Sequence, residues 1–394
     1  MHPQPRHRRD HRLARVPALS LGVVATSRKP DERRLAIHPA HVERIHPELR
    51  QGIYLERGYG ERFGISDSTL EPLVAGLLPR DELVTKTDVV LLPKPLPEDL
   101  APLRPHQVVW GWPHCVQDRD MTQAAIDHEL TLIAFEAMNH WNSAGNFDLH
   151  VFHKNNELAG YCSVMHALQL LGSSGDYGRR LRGAVISFGA TGRGAVRGLS
   201  ALGISDVTVL TQRPVSAVAS PFASVRMRRF DRDPQDRSRT LDLEGALPGP
   251  MAEVLSAFDI VVNCVLQDPD EPLLFVTDDD LPRFRPGTLF VDVSCDEGMG
   301  FEWARPTTFA EPMFGVGDGL HYYAVDHSPS HLWNSTTWEN SEALLDYLPV
   351  VMAGPDAWDA DETIRRAIEI REGRIENPRI LSFQGRSAEY PHPG

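Results

Sequence analysis

The stretch Val185–Leu199 reads VISFGATGRGAVRGL: an apolar run, closely spaced glycines, then a helical pattern. A buried strand that enters a phosphate-binding turn and continues into a helix needs that order of residue types. Gly189 suits the tight turn, and Gly194 lets the helix approach the strand. The exposed amides at the helix start can hold a pyrophosphate. Thr191 stands where the usual GxGxxG has its middle glycine, while Gly192 adds a flexible position. Dinucleotide contacts are therefore expected from Gly189, Ala190, Thr191, Gly192, Arg193 and Gly194. A purely structural turn is the competing reading, and the strand before and helix after weigh against it.

The next strand, VTVL, ends in Thr211, Gln212 and Arg213. A carboxylate there would accept from a ribose 2′-hydroxyl and repel a 2′-phosphate. It is absent, and Arg213 with the Thr211 hydroxyl suits a phosphate, so the expected cofactor is NADP(H). A solvated turn arginine is the bland alternative.

Outward from this motif, short apolar strands alternate with helical patterns, the signature of parallel βα units. Strands are expected at 184–188, 207–210, 260–264 and 289–293, preceded by an earlier series at 21–25, 52–56, 88–92, 107–111 and 130–135. The spacing of Leu158, Tyr161, Val164, Met165, Leu168 and Leu171 predicts a helix over 157–172, placed as a bridge between two domains. Helices are also expected over 336–348 and 359–372. The stretch 214–250, rich in Arg, Asp and Pro, has no clear pattern. The resulting fold class is α/β, with two Rossmann-like doubly wound parallel-sheet domains and an interdomain cleft. Residues 18–150 plus 328–394 form the expected substrate and catalytic domain, 151–327 the NADP(H)-binding domain, and 1–17 a disordered extension.

The 394 residues are long for one core, which agrees with two domains. A net charge of −14 argues against nucleic acid or an anionic membrane as partner. Cys115, Cys162, Cys264 and Cys295 show no CxxC spacing and no companion His pattern, so neither a metal site nor a disulfide framework is expected. No apolar run approaches the roughly 18 residues of a membrane span, and the Arg- and His-rich opening lacks the apolar core of a signal peptide. The expected setting is the cytoplasm.

Four polar residues stand near strand ends. Arg34, in ERRLAIHP, has a planar fork suited to a carboxylate. Lys94, after VVLLP, could stabilise negative charge developing on a keto oxygen. His114, after VVWGWP, could move protons near neutral pH. Asp296, in VDVSCDEGMG, lies where open α/β sheets bind ligands. Each has an ordinary alternative, namely a surface arginine, a solvated turn lysine, a packed histidine and a loop cap. Their shared position at strand ends raises their joint weight.

These motifs, with IAFEAM, NELAGY and YYAVDHSPSHLWNSTTWE, resemble the alanine dehydrogenase and pyridine nucleotide transhydrogenase superfamily from about residue 21 to 349. The resemblance implies that Arg34 binds a 2-oxo acid carboxylate and Lys94 its carbonyl oxygen. It makes His114 the catalytic histidine, sets Asp296 beside the nicotinamide, and gives Glu136 a role in orienting Lys94 or Arg34. It implies cofactor contacts from Val265, Leu266, Val293 and residues 325–328, including Val325 and Ser328.

Two departures matter. Thr211 replaces the acid of alanine dehydrogenases, and His327 with Ser328 replaces their Asn-Met pair, a form similar to the carboxyethyl amino acid synthases. Free ammonia is thereby placed in doubt as the nitrogen donor. A larger amine would need room that Trp333 and Trp338 could line, with His327 among the substrate contacts. The expected reaction joins a 2-oxo acid to the amino group of an amino acid in a homodimer or larger assembly. Alanine dehydrogenase and saccharopine dehydrogenase activities are the alternatives, with a non-catalytic NADP-binding regulator as a rival of another class.

Overall fold

The computed structural model describes residues 18–213, 225–235, 240–243, 249–268 and 271–394. The proposed N-terminal extension, 1–17, and much of 214–250 lie outside them. The chain divides into two compact units. One comprises Met1–Pro30, Leu35–Val151 and Asn340–Gly394, and the other Asp31–Arg34 and Phe152–Glu339. The sequence reading drew the second crossing at 328, whereas the contacts draw it at 340.

In the first unit six strands run parallel: Leu21–Val23, Ile53–Glu56, Gly76–Leu78, Val89–Leu91, Val108–Gly111 and Thr131–Ala134. Numbered along the chain, they lie in the order 3-2-1-4-5-6, the doubly wound arrangement that opens a ligand crevice at the strand carboxyl ends. The strands are short and almost wholly apolar because the sheet is covered on both faces. Val108, Val109 and Trp110 are all buried, as are Leu132 and Ile133. The Arg119–Asp127 helix starts at Asp118, whose carboxylate accepts from the Met121 amide at 2.9 Å.

The helix expected over 359–372 stops early. The helix Glu362–Ala367 ends and Ile368–Arg371 becomes a strand, antiparallel to Thr131–Ala134. Two β-branched residues alternate in IEIR, and Ile368 and Ile370 are both buried, so packing on the sheet overrides the helical reading. Gly373, at φ +76, then turns the chain into Arg374–Ile375.

The second unit repeats the order. Arg182–Ile186, Asp206–Thr211, Val225–Arg232, Ile260–Asn263, Leu289–Asp292 and Leu320–Tyr323 are parallel and again lie 3-2-1-4-5-6, with antiparallel strands at both edges. Both units are thus Rossmann-like, doubly wound parallel sheets. The long helix is His153–Leu170, which packs on the glycine-loop helix Ala190–Ala201. Among the described residues no helix is long and apolar enough to cross a membrane.

Candidate active site

In the first unit the fourth, fifth and sixth strands deliver Lys94, His114 and Glu136 from successive carboxyl ends. Gly111 allows this crowding, since a Cβ there would lie 1.9 Å from the Leu92 carbonyl oxygen. The Lys94 Nζ stands 2.6 Å from His114 Nε2. An ammonium has no acceptor capacity, so this contact assigns the lone pair to Nε2 and the ring proton to Nδ1. His114 holds φ +51, and its amide donates to Glu136 Oε1 at 2.7 Å while Nδ1 lies 3.5 Å from the same oxygen. The three side chains form one chain of contacts, lysine to histidine to carboxyl. Burial and then the charge of Glu369 push the Glu136 carboxyl above the ordinary carboxylate range.

Arg34 falls in the second unit. Its Nε donates to Glu32 Oε1 at 2.8 Å, Nη2 to Glu32 Oε2 at 2.5 Å, and Nη1 to Asn155 Oδ1 at 3.0 Å. Glu32 also accepts from the Ser330 hydroxyl at 2.6 Å, and the Arg34 charge holds it near 2 against the opposing effect of burial. The guanidinium is therefore oriented by a carboxylate of its own rather than left to solvent. Glu32, two residues from Arg34, is the signal the sequence reading passed over.

The glycine loop follows the first strand of this unit. The tight turn is made by Ser187 at φ +81, whereas Gly189 is an extended N-cap without a capping side chain. The close approaches also differ from expectation. A Cβ on Gly192 would meet the Ser187 carbonyl oxygen at 2.3 Å, so that glycine fits the helix to the strand end. Gly194 instead faces the preceding helix, where a Cβ would lie 1.7 Å from the Glu157 carbonyl oxygen. Ala190 and Thr191 complete the first turn, whose amides suit a pyrophosphate.

Beside it, Arg193 lies over the Phe188 ring at 4.4 Å, and Arg213 Nη2 donates to the Phe188 carbonyl at 3.3 Å. The Arg213 amide donates to Thr211 Oγ1 at 3.2 Å, with Gln212 between them. Burial and then the Arg213 charge lower the Arg193 pKa, the sign of a cationic cluster suited to an anion.

Further residues follow the later strands. Val265 is buried and its amide donates to Asn263 Oδ1 at 3.2 Å, while Leu266 is almost fully exposed. Val293 donates its amide to the Asn263 carbonyl at 3.0 Å, and burial raises Asp296 to about 6. Beneath them sits a group the sequence reading missed. Asp292 is fully buried, accepts from Asn263 Nδ2 at 3.0 Å and the Tyr322 hydroxyl at 2.8 Å, and is raised by burial to about 7. Its signal was a carboxylate ending the apolar run LFVD. Val325 is buried beside Thr307. His327 is buried with Nδ1 2.5 Å from Asp326 Oδ1 and its ring edge-on to Phe309. The Ser328 hydroxyl accepts from Ser163 and donates to the Ala159 carbonyl, tying this turn to the long helix. Trp333 opens the helix Trp333–Leu344, in which Trp338 is exposed.

One unit with a glycine loop and a cationic second-strand end, and a second unit carrying a lysine, histidine and glutamate chain, together define a dinucleotide-dependent oxidoreductase. Models described as the N-terminal and C-terminal domains of alanine dehydrogenase/PNT match residues 22–157 and 184–378, and the chain belongs to this family of nicotinamide-dinucleotide enzymes. N(5)-(carboxyethyl)ornithine synthase of Clostridium botulinum is 27% identical over 339 residues, covering 81% of this chain and 90% of that protein. Alanine dehydrogenase of Mycobacterium tuberculosis is 26% identical over 385 residues, covering 92% and 96%. The structure of an L-alanine dehydrogenase matches with TM-score 0.73 at 18% identity, over 93% of this chain and 99% of its own. A transhydrogenase from Sinorhizobium meliloti matches with TM-score 0.68 at 20% identity, over 91% and 99%. At those identities the structures establish the fold.

Proposed function

We propose that the protein catalyses the NADP(H)-dependent reductive condensation of a pyruvate-like 2-oxo acid with the amino group of an amino acid such as ornithine or lysine. The observation that carries this reading is the Lys94–His114–Glu136 chain of contacts at the carboxyl ends of three neighbouring strands. Lys94 holds the keto oxygen and offsets its charge while the amine adds to the carbonyl carbon. His114 takes the proton lost by the amine nitrogen. It returns one to the hydroxyl that leaves the carbinolamine as water, giving an imine. Arg34, held by Glu32 and Asn155, takes the carboxylate as a bidentate partner. A bound NADPH supplies the hydride that converts the imine, with one proton, to a secondary amine. Asp296 stands at the strand end assigned to the nicotinamide, with Val265, Leu266, Val293 and the 325–328 turn lining the cofactor.

The preference for NADP(H) rests on Arg193 and Arg213 about Phe188 and on the absence of a carboxylate at Thr211. The preference for an amino acid over ammonia rests on His327 and on the likeness to the carboxyethylornithine synthase. Alanine dehydrogenase activity is the second reading, favoured by similarity to the Mycobacterium enzyme along nearly the whole chain. The same proposal includes a cytoplasmic homodimer or larger assembly. Incubating the protein with NADPH, pyruvate and either ammonia or a panel of amino acids, with mass spectrometry of the products, separates the two. An N-carboxyethyl amino acid is the expected product. Alanine alone, made only with ammonia, would overturn the proposal.

A further inference from the structure

Behind Glu136 lies a second acid that none of the roles above uses. Glu369 comes from the Ile368–Arg371 strand, which pairs with the strand leading into Glu136. It is 4% exposed, and its Oε1 accepts from Asn377 Nδ2 at 3.1 Å. Oε2 of Glu136 and Oε2 of Glu369 are both buried without a hydrogen-bond partner. Were both carboxyls ionised, each would keep one desolvated oxygen that meets no donor, a state too costly for both to occupy at once.

We infer that Glu369 is a positioning residue for the acid–base unit: Glu136 and Glu369 form a buried carboxyl pair that retains one proton at neutral pH. The inference deepens the proposed function, because it assigns Glu369 to the control of His114.

Among the described residues, Lys94 is the cation whose charge is seen to act on the pair. Lys94 lowers Glu136, but less than burial and Glu369 raise it. The Cys115 thiol, itself pushed up by burial and Glu369, bonds to Glu369, with Asp118 a further negative neighbour. His150 Nε2 meets the Glu136 carbonyl at 3.2 Å rather than its carboxyl. On the helix Glu362–Ala367, Arg366 pairs with Glu362 at 2.6 Å and lies over Trp141. The proton held by the pair therefore answers to burial and mutual repulsion.

The consequence reaches His114 through the Nδ1 and Glu136 Oε1 contact. While the pair holds its proton, Glu136 places little negative charge beside the ring, and His114 stays a neutral base accepting from Lys94. Removing the Glu369 charge lets Glu136 ionise at lower pH. The resulting anion then favours the imidazolium. The acidic limb of the rate profile, where His114 must be neutral, moves to higher pH.

Infrared titration of the unliganded protein, with glutamate carboxyls isotopically labelled, reads the pair without any substrate. In the native protein a carboxylic-acid band should persist at pH 7. Glu369→Gln keeps the acceptor for Asn377 and should move the midpoint of that band down by about one pH unit or more. Glu136→Gln should remove the Glu136 contribution. With substrates that turn over, Glu369→Gln should raise the acidic apparent pKa of kcat/KM while leaving KM for the 2-oxo acid nearly unchanged. Absence of the band in the native protein at pH 7, or a midpoint unmoved by Glu369→Gln, would overturn the inference. Because the titration needs no turnover, a wrong substrate assignment leaves its result intact.

Discussion

Gly194→Ala tests how the glycine-loop helix is seated. The added methyl would lie 1.7 Å from the Glu157 carbonyl oxygen and 2.6 Å from its carbon, both backbone atoms of the His153–Leu170 helix. Ordinary separation is about 3.5 Å, so the helices must part by well over 1 Å along a buried seam. A Cβ added at Gly160 on the facing helix would likewise lie 2.0 Å from the Thr191 carbonyl oxygen, so the two backbones already approach closely at both glycines. Overpacking of this kind costs about 1–3 kcal/mol, and rigid backbone on both faces places the change at the upper end. The gain in helix propensity, about 1 kcal/mol, offsets only part of it.

Gly198→Ala is the control, since its methyl would meet the Tyr161 carbonyl oxygen at 3.1 Å and a movable Val164 side chain at 3.2 Å. Urea unfolding should show Gly194→Ala less stable by about 2 kcal/mol and Gly198→Ala near neutral. The displaced helix start should also raise KM for NADPH in Gly194→Ala. Equal stability of the two variants, or an unchanged NADPH KM in a destabilised Gly194→Ala, would refute the packing argument.

Three further outcomes are expected. Arg213→Ala removes a charge-assisted contact to a 2′-phosphate and should lower the NADPH over NADH ratio of kcat/KM by about 10–100-fold; an unchanged ratio would assign the preference elsewhere. His114→Ala should reduce kcat by about 100-fold or more, and full activity in that variant would end its acid–base role. Stability should also respond to pH. Asp292 has a folded pKa raised to about 7, so its stabilising contribution is complete below the unfolded value of about 3.9, declines as pH rises from there, and is gone once pH passes 7. Glu32, lowered to about 2, acts oppositely, and its contribution disappears only as pH falls below about 4. Asp292→Asn should therefore stabilise more at pH 8 than at pH 5, by about 2–3 kcal/mol, in urea unfolding; an equal effect at both pH values would contradict a buried charge at Asp292.

The parallel strands were legible because burial on both faces writes them as apolar runs, as in VVL, TLIA and IVVN. The outermost parallel strands were not. Gly76–Leu78 is only partly buried, and Val225–Arg232 carries arginines along its length, so neither shows the apolar run of a central strand. Lys94, His114 and Asp296 could be picked out because each follows an apolar run at a predictable end. Their supports were hidden for a different reason. Glu369 touches the acid–base unit only through an antiparallel pairing that no local pattern announces, and Asn155 meets Arg34 from within a helix.

Both units place a left-handed residue after the fifth strand, His114 at φ +51 and Cys295 at φ +48, and the glycine loop adds Ser187 at φ +81. For a residue with a Cβ this conformation costs about 1–2 kcal/mol, and glycine would relieve it. Partly or wholly buried carboxyls with raised pKa values stand at strand carboxyl ends too, Glu136 after the sixth strand of the first unit and Asp292 and Asp296 at the fifth of the second. Neither feature helps the fold, since an apolar side chain at Asp292 or a glycine at Cys295 would suit an ordinary strand terminus. Strain and desolvated acid persist together where the surrounding sheet is stable enough to sustain them. The left-handed residue after the fifth strand of both sheets, with raised carboxyls at the carboxyl ends of each, argues for chemistry at those ends beyond what the glycine loop or the sequence likeness supplies.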